Sequence, residues 1–468
     1  LSGNNMDRRE FIAGSITATT IGTVSGAQRS FAGRTRKPNI LIFVADDASA
    51  RHFGAFGNEV IQTPNIDELA RNGVAFDKAM LTTAQCSPSR ISILSGLYPH
   101  GTGAEDLHMP LPSGIRILPS YLQDAGYFTG HMQKKHEGPE GDLQFQWYDE
   151  GLEKFDGFVE AAGERPFFLW VAFDDPHRPY EVRPIIDDPH DPAGIDVPPY
   201  MADTPETRAD IAKYYDEISR LDSVVGRFMQ TLRTQDLIEH TLLSDNGAPL
   251  PREKGTVYDS GVRTPLILHW PSVVPQGDRH AGLASVIDLA PTLLALAGLE
   301  IPPAMQGSNQ LEGLRNPEVW TRHAAFSERN WHDIDEHIRS IRTQDYRLIY
   351  NSYIWEPFGT PADVSHSPSW RSLRALQRQG RLTSEQADLF RVPRPQIEFY
   401  KTTEDPLELN NLAGAPEYEE AIFTHFGWLK EWMQMTGDFP PHQRQRAAYA
   451  DRITGVLYSL DVPPMYSD

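Results

Sequence analysis

Four short runs in this sequence carry residue types that hydrolytic chemistry uses, and each follows a stretch that reads as a buried strand. Asp46-Asp47 follows Ile40-Leu41-Ile42-Phe43-Val44, and Lys134-Lys135-His136 follows Phe128-Thr129-Gly130-His131-Met132. Asp174-Asp175-Pro176-His177-Arg178 follows Phe167-Phe168-Leu169-Trp170-Val171, and Ser244-Asp245-Asn246-Gly247 follows Thr241-Leu242-Leu243. Singly, each run has a plain structural use: Asp-Asp and Asp-Asn-Gly form turns, and Lys-Lys-His suits a solvated loop. Gathered at one edge of a sheet they would form a site, because open α/β sheets bind ligands outside the carboxyl ends of their strands. Asp46, Asp47, Asp245 and Asn246 offer three carboxylates and an amide oxygen. That is the oxygen-only shell of a hard divalent cation, and Ca2+ tolerates irregular geometry where Mg2+ demands an octahedron. Zinc would recruit His or Cys, which this set lacks.

The one cysteine opens Cys86-Ser87-Pro88-Ser89-Arg90. Pro88 at the start of an apolar periodic run places Cys86 at a helix N-terminus. That end carries partial positive charge and Arg90 lies one turn on, so an anion is favoured there. Two readings of the thiol stay open, an inert buried side chain and a nucleophilic thiolate. The Cys-to-Arg spacing is too short for a Cys-dependent phosphatase loop.

The elements that must position these groups follow from length and pattern. The 468 residues suffice for two or three domains. Lys and Arg number 43 against 64 Asp and Glu, a formal charge of −21, which excludes a nucleic-acid binder without excluding a local basic cleft for an anionic substrate. A single cysteine excludes an intrachain disulfide framework and a Cys-based zinc cluster. No run reaches the roughly 18 apolar residues of a membrane span. Besides the four strands, the pattern predicts a helix entered through Thr63-Pro64, a helix over Pro205 to Leu232, a strand over Thr264 to His269 and a helix over Ile287 to Ala297. This alternation argues for an α/β domain with a mainly parallel central sheet flanked by helices. The Pro-rich stretch from Asp174 to Pro205 reads as a long ordered loop. After about residue 335 the texture changes: Ile338 to Arg342 and Tyr346 to Tyr350 alternate like a hairpin around Thr-Gln-Asp. A strand at Glu398-Phe399-Tyr400 and a helix near Glu417 to Met435 follow, giving a smaller α+β C-terminal domain with an antiparallel sheet. The expected division is 1–36 as a tail, 37–335 as the catalytic domain and 336–468 as the C-terminal domain.

Two resemblances add to this reading. Arg8-Arg9 with Phe11, an uncharged run from Ala13 to Ala27 and small residues at Ser25-Gly26-Ala27 or Ser30-Phe31-Ala32 look like a bacterial twin-arginine export signal. That implies the twin-arginine machinery as a partner and a periplasmic or secreted protein. Cys86-Ser87-Pro88-Ser89-Arg90 with Gly96 resembles the signature of type I sulfatases, in which the Cys is oxidised to formylglycine. Asp46-Asp47, Lys134 with His136, His177, Ser244-Asp245-Asn246-Gly247, Lys254-Gly255-Thr256 and Gly261-Val262-Arg263-Thr264-Pro265 fall in that family's order. Asp405-Pro406-Leu407-Glu408-Leu409-Asn410-Asn411-Leu412 is similar to its C-terminal strand motif, so the likeness covers residues 38 to about 435. More narrowly, Lys134-Lys135-His136-Glu137-Gly138-Pro139-Glu140, Arg165 to Phe173, Asp175 to Arg178, Thr204-Pro205, Arg208-Ala209-Asp210 and Ser365 to Ser369 resemble the heparan N-sulfatase (sulfamidase) branch. The chain departs from that branch at Asp174, where the pattern has His, at Lys254, where it has Arg, and at Gln85.

The resemblance implies an alkaline-phosphatase-like large domain and a chemistry. A formylglycine at 86, made by a formylglycine-generating enzyme, would be hydrated to a gem-diol. One hydroxyl would attack sulfur to form a sulfo-enzyme, and the second would expel sulfate and regenerate the aldehyde. Asp46, Asp47, Asp245, Asn246 and residue 86 would hold Ca2+, or Mg2+. Arg90 would hold the diol, Lys134 and Lys254 would stabilise developing charge, His136 would act as base or diol partner, and His177 would act as general acid toward the leaving group. His108, Asp175, Arg178, His332 and Asp333 are the expected substrate-binding residues. The activity implied is hydrolysis of the N-sulfate of N-sulfoglucosamine at non-reducing ends of heparin or heparan sulfate fragments. The alternatives are a sugar O-sulfatase, a formylglycine-dependent phosphonate or phosphate ester hydrolase, and, in a different class, a non-catalytic binder of sulfated glycans. A homodimer is compatible with the sequence.

Overall fold

A computed structural model describes residues 37–180, 188–234, 240–271, 273–274, 277–333 and 335–440. The proposed export signal and part of the Pro-rich loop lie outside the described residues. A strand whose every residue is apolar must be covered on both faces. Ile40–Ala45 (β1) and Phe167–Ala172 (β5) are such strands, buried at every position. They form the middle of an eight-stranded sheet with Val74–Met80 (β2), Phe128–Gln133 (β3), Trp147–Asp149 (β4), His240–Ser244 (β6), Leu266–His269 (β7) and Asp278–Ser285 (β8), in the order β4-β3-β5-β1-β6-β7-β2-β8. All neighbouring pairs are parallel except β6 with β7 and β7 with β2.

The two-residue period of β1 divides the core. Ile40, Ile42 and Val44 face one cluster, and Leu41, Phe43 and Ala45 face the other. Helices α1 (Pro64–Asn72), α2 (Cys86–Ser95), α3 (Pro205–Thr234) and α4 (Leu289–Leu296) cover these faces. Ile91, Leu94, Leu289 and Leu293 pack on the first; Ile66, Leu69, Tyr214, Ile218, Val225 and Phe228 pack on the second. Each fully buried large apolar side chain contributes about 1.5–3 kcal/mol. Among the described residues no helix is long and apolar enough to cross a membrane.

The mainly parallel architecture is as the alternation predicts, and the hairpin and C-terminal helix also form. A second, antiparallel sheet runs β12-β11-β10-β9 through Ala325–Arg329 (β9), Ile338–Arg342 (β10), Tyr346–Asn351 (β11) and Ile397–Lys401 (β12). Ala362–Ser365 (α5) lies between β11 and β12 in the chain, and Glu419–Thr436 (α6) packs Leu429 and Trp432 on Phe326, Ile341, Leu348 and Phe399. Strands β2, β8 and β9 carry no clear period: β2 holds Asp77 and Lys78, β8 opens Asp-Arg-His, and β9 is the short run Ala-Phe-Ser-Glu-Arg. Burial of β9 at every position comes from its neighbours rather than its own hydropathy.

A buried ion network docks this sheet on the large one. Arg347 on β11 donates from Nε to Glu408 Oε1 (2.6 Å) and pairs with Asp259, while Glu408 Oε2 accepts the Asp259 amide (2.6 Å). The Asp405–Leu412 motif therefore works here as a bracket. Arg347→Leu leaves the buried Glu408 without its cation and Asp259 with Arg342 alone, so it is expected to destabilise the chain by about 3–5 kcal/mol. Denaturant unfolding checks this; a loss under about 1 kcal/mol would mean that solvent reaches the network.

Candidate active site

The register brings four strand ends level. Val44 pairs with Ala172, Ala45 with Ser244, and Gln133 with Ala172. The ladder continues past them: Lys134 N donates to Ala172 O (3.0 Å), Asp46 N to Asp175 O (2.9 Å) and Asp245 N to Ala45 O (3.2 Å). The four motifs of the sequence thus meet at the carboxyl edge of β3, β5, β1 and β6, where such sheets bind ligands. Asp47, Gln133, His108 and Asp333 around this edge hold left-handed backbone (φ 66°, 62°, 62° and 64°), a conformation that L side chains adopt only when their surroundings impose it.

Helix α2 begins at Cys86, and its N-terminus opens onto the carboxylates. Cys86 Sγ lies 3.7 Å from Asp47 Oδ1. One turn on, Arg90 donates from Nε to Asp245 Oδ2 (2.7 Å) and from a terminal nitrogen to the Lys134 carbonyl (3.3 Å), and it sits 3.7 Å from Asp46 Oδ1. Lys134 Nζ pairs with Asp46 Oδ2. Lys254 Nζ lies between two carboxylates, 2.7 Å from Asp47 Oδ2 and 2.7 Å from Asp363 Oδ2. His177 donates Nδ1–H to the Arg178 carbonyl, which fixes its ring and leaves Nε2 3.7 Å from Asp47 Oδ2 and 4.0 Å from Asp363 Oδ2. Asp46, Asp47, Arg90, Asp245 and Asn246 are wholly buried, whereas Lys134 and His177 keep 15% and 19% of their side chains exposed, so the cluster meets solvent at that pair.

The field in the site is uneven. Burial alone would raise the Asp46 carboxyl, but Lys134, His177, Arg90 and Lys254 outweigh it and hold Asp46 far below the ordinary range. Burial and the adjacent Asp46 push Asp245 up to about 7 against the pull of Arg90. Burial, with Lys134 and His108 adding, holds His136 well below its usual value and favours the neutral imidazole. Burial, with His332 and Lys134, takes His108 down to about 4.

The donor set fits a hard cation. Asp46, Cys86 and Asp245 place ligand atoms within 4.8 Å of one another, as do Asp47, Cys86 and His177. Asp46 Oδ1 and Asn246 Oδ1 are buried with no hydrogen-bond partner, an arrangement that costs stability unless something positive supplies the missing contact. Ca2+ or Mg2+ in the Asp46, Asp47, Asp245 and Asn246 set would do so. The sulfur of Cys86 is the misfit in this hard-oxygen set. Burial pushes its thiol well above the usual range; Lys254 pulls the other way, and the three aspartates add to the rise, so a thiolate is disfavoured. An oxygen-bearing derivative at position 86 removes both misfits.

The substrate-binding candidates divide. His108 donates its amide to Ser87 Oγ (2.8 Å) and sets its ring 5.0 Å from that of His136. His332 pairs through Nδ1 with Asp333 Oδ2 (3.0 Å), which also accepts the Ala362 amide (2.7 Å). The loop carrying His332 is tied to the cap of α2, since Gln85 Nε2 donates to Trp331 O (2.6 Å). These three stand beside the cluster. Asp175 and Arg178 are instead held in ion pairs with α3: Asp175 with Arg220 (2.8 Å), and Arg178 with both oxygens of Asp210 (2.8 Å each). Asp363 is a site residue that sequence reasoning missed. Its one signal was its place two residues before the Ser365–Ser369 stretch. Behind Lys254, Glu253 is buried and accepts from Ser49 Oγ (3.0 Å) and Tyr200 OH (3.1 Å) while pairing with His52 (2.9 Å), which links the loop after β1 to the Lys254 loop.

The chain matches known proteins over most of its length. The model of the sulfatase family matches residues 38–151 and 142–299, and that of the family described as N-sulphoglucosamine sulphohydrolase, C-terminal, matches 252–367. The chain is 30% identical over 460 residues to an ulvan-active sulfatase of Formosa agariphila, covering 86% of this chain and 76% of that protein. It is 30% identical over 462 residues to human N-sulphoglucosamine sulphohydrolase, covering 86% and 91%. Among solved structures, BT4656 in complex with its substrate D-glucosamine-2-N,6-O-disulfate superposes with a TM-score of 0.67 at 21% identity, over 88% of this chain and all of that one.

Proposed function

The chain belongs to the sulfatase family and is a sulfate ester or sulfamate hydrolase, and from that premise we propose that it is a sulfamidase. It hydrolyses the N-sulfate of N-sulfoglucosamine at non-reducing ends of heparin or heparan sulfate fragments, after export to the periplasm or beyond. The observation that supports this most is the match of residues 252–367 to the N-sulphoglucosamine sulphohydrolase family, because that segment supplies Asp363 to the site.

Asp46, Asp47, Asp245, Asn246 and residue 86 would hold the cation, Ca2+ by preference, which would neutralise sulfate oxygens and lower the pKa of the nucleophile. Formylglycine at 86 would supply a hydrated aldehyde oxygen as nucleophile and a second hydroxyl for release. Arg90, buried against Asp245, would position the modified side chain of residue 86 at the helix N-terminus. Lys134 and Lys254 reach sulfate oxygens from either side and stabilise the charge that builds on them. His136, kept neutral, accepts a proton. His177, with Nδ1–H anchored, presents Nε2 toward the leaving group and protonates it, a step that an amine requires because an amide anion leaves poorly.

A sugar O-sulfatase is the second reading, favoured by Asp174 and Lys254, which depart from the sulfamidase pattern. One assay separates the two: sulfate release from N-sulfoglucosamine and from 6-O-sulfated N-acetylglucosamine, on protein whose Cys86 peptide mass shows conversion. Release from the N-sulfated sugar alone is expected. Release from the O-sulfated sugar alone would replace the sulfamidase reading with the O-sulfatase one.

A further inference from the structure

Sulfate recognition wants positive charge, yet this site contains a carboxylate that the metal set does not use. Asp363 is 7% exposed and sits opposite Asp47 across Lys254 Nζ, 2.7 Å from it. It is held there firmly. Its Oδ1 accepts the Val364 amide (2.9 Å), and the preceding residue, Ala362, donates its amide to Asp333 Oδ2 (2.7 Å). Arg329 ties the same segment to the Lys254 loop by donating to the carbonyls of Gly359 and Gly255. A Cβ on Gly255 would meet Pro361 at 2.9 Å, so the two loops are in contact. His177 Nε2, the proton donor, lies 4.0 Å from Asp363 Oδ2.

A carboxylate at this point offsets the charge of Lys254 and so weakens the hold on sulfate. It becomes useful when the leaving atom carries hydrogen. An ester oxygen carries none; a sulfamate nitrogen carries one, and after cleavage becomes an ammonium. We infer that Asp363 selects a nitrogen leaving group: it accepts the sulfamate N–H beside His177 and then holds the ammonium product. This rests on the sulfamidase reading. The reaction balances as sulfamate plus water giving ammonium and sulfate. The S–N bond breaks with its electron pair going to nitrogen, nitrogen takes a proton from His177 and another from solvent, and the sulfuryl group ends on a water oxygen.

The test compares wild type with Asp363→Asn and Asp363→Glu, measuring turnover of N-sulfoglucosamine and competitive inhibition by two products, glucosamine and inorganic sulfate. Asp363→Asn is expected to lower kcat and raise the glucosamine Ki, each by at least about tenfold, the scale of one charge-assisted hydrogen bond. The sulfate Ki should fall rather than rise, because the offset on Lys254 is removed, and Asp363→Glu should recover part of both losses. If the sulfate Ki shifts and the glucosamine Ki does not, Asp363 only positions Lys254 and the inference is overturned; unchanged turnover overturns it as well. Wild type that is inactive on N-sulfoglucosamine but active on an O-sulfated sugar instead removes the reading beneath it, an outcome visible before any variant is made.

Discussion

Cys86→Ala is expected to abolish sulfate release, with a loss of at least about 10⁴-fold, while the protein still folds and still binds sulfated saccharide. The argument runs from the position to the reaction. Residue 86 is the first residue of α2, buried, and within 3.7 Å of Asp47, with Arg90 and Lys254 completing its surroundings. Burial and the carboxylates disfavour a thiolate there, and sulfur is a poor partner for a hard cation, which is why the proposed mechanism places an oxygen at 86. Cys86→Ser separates this from simple loss of shape: serine restores one oxygen but cannot supply the second hydroxyl that release needs, and turnover should stay lost. Calorimetric binding of N-sulfoglucosamine to the Ala variant provides the second readout. Retained turnover in Cys86→Ala would eliminate every formylglycine mechanism, and a wild type converted at Cys86 that binds without turning over would return the chain to the class of glycan binders.

Removing divalent cations is expected to cost at least about 10³-fold in turnover, with recovery on adding Ca2+ or Mg2+. A stability measurement makes the same point without activity. Asp46 Oδ1 and Asn246 Oδ1 are orphaned, and Asp46, Asp47 and Asp245 crowd one strand edge, so the folded chain gains when a cation binds and the unfolded chain does not. Linkage then predicts about 2.7 kcal/mol of added stability at about a hundredfold excess over Kd, read as a rise of several degrees in Tm. Asn246→Ala should fold and shift the midpoint of that response at least about tenfold toward higher cation. A Tm indifferent to both cations would mean that the carboxylates serve the fold alone.

Much of this site is readable in the sequence, for a local reason. A parallel strand buried on both faces is a run of apolar residues, and the residues just beyond it stand at the edge where ligands bind. Asp46-Asp47, Lys134-Lys135-His136 and Asp245-Asn246 announce themselves in that way. Cys86 is placed by Pro88 and the apolar run behind it. The C-terminal hairpin is legible from its two-residue period. Strands β2, β8 and β9 are not, because their apolar residues are interrupted by charge and their burial comes from neighbours distant in sequence: β2 from β7 and β8, β9 from β10.

By itself the sequence determined the elements whose burial is set by their own period, the chemical types gathered at the strand ends, and the likeness to sulfatases that those types carry. Tertiary structure alone decided which polar groups face the reaction. Asp175 and Arg178 flank Pro176 and His177 in a single motif, yet both are engaged by α3, through Arg220 and Asp210, while His177 between them turns toward Asp47. Asp363, more than a hundred residues from Lys254, becomes its second carboxylate. A side chain's partner depends on packing between segments far apart in the chain, and no local pattern encodes that distance.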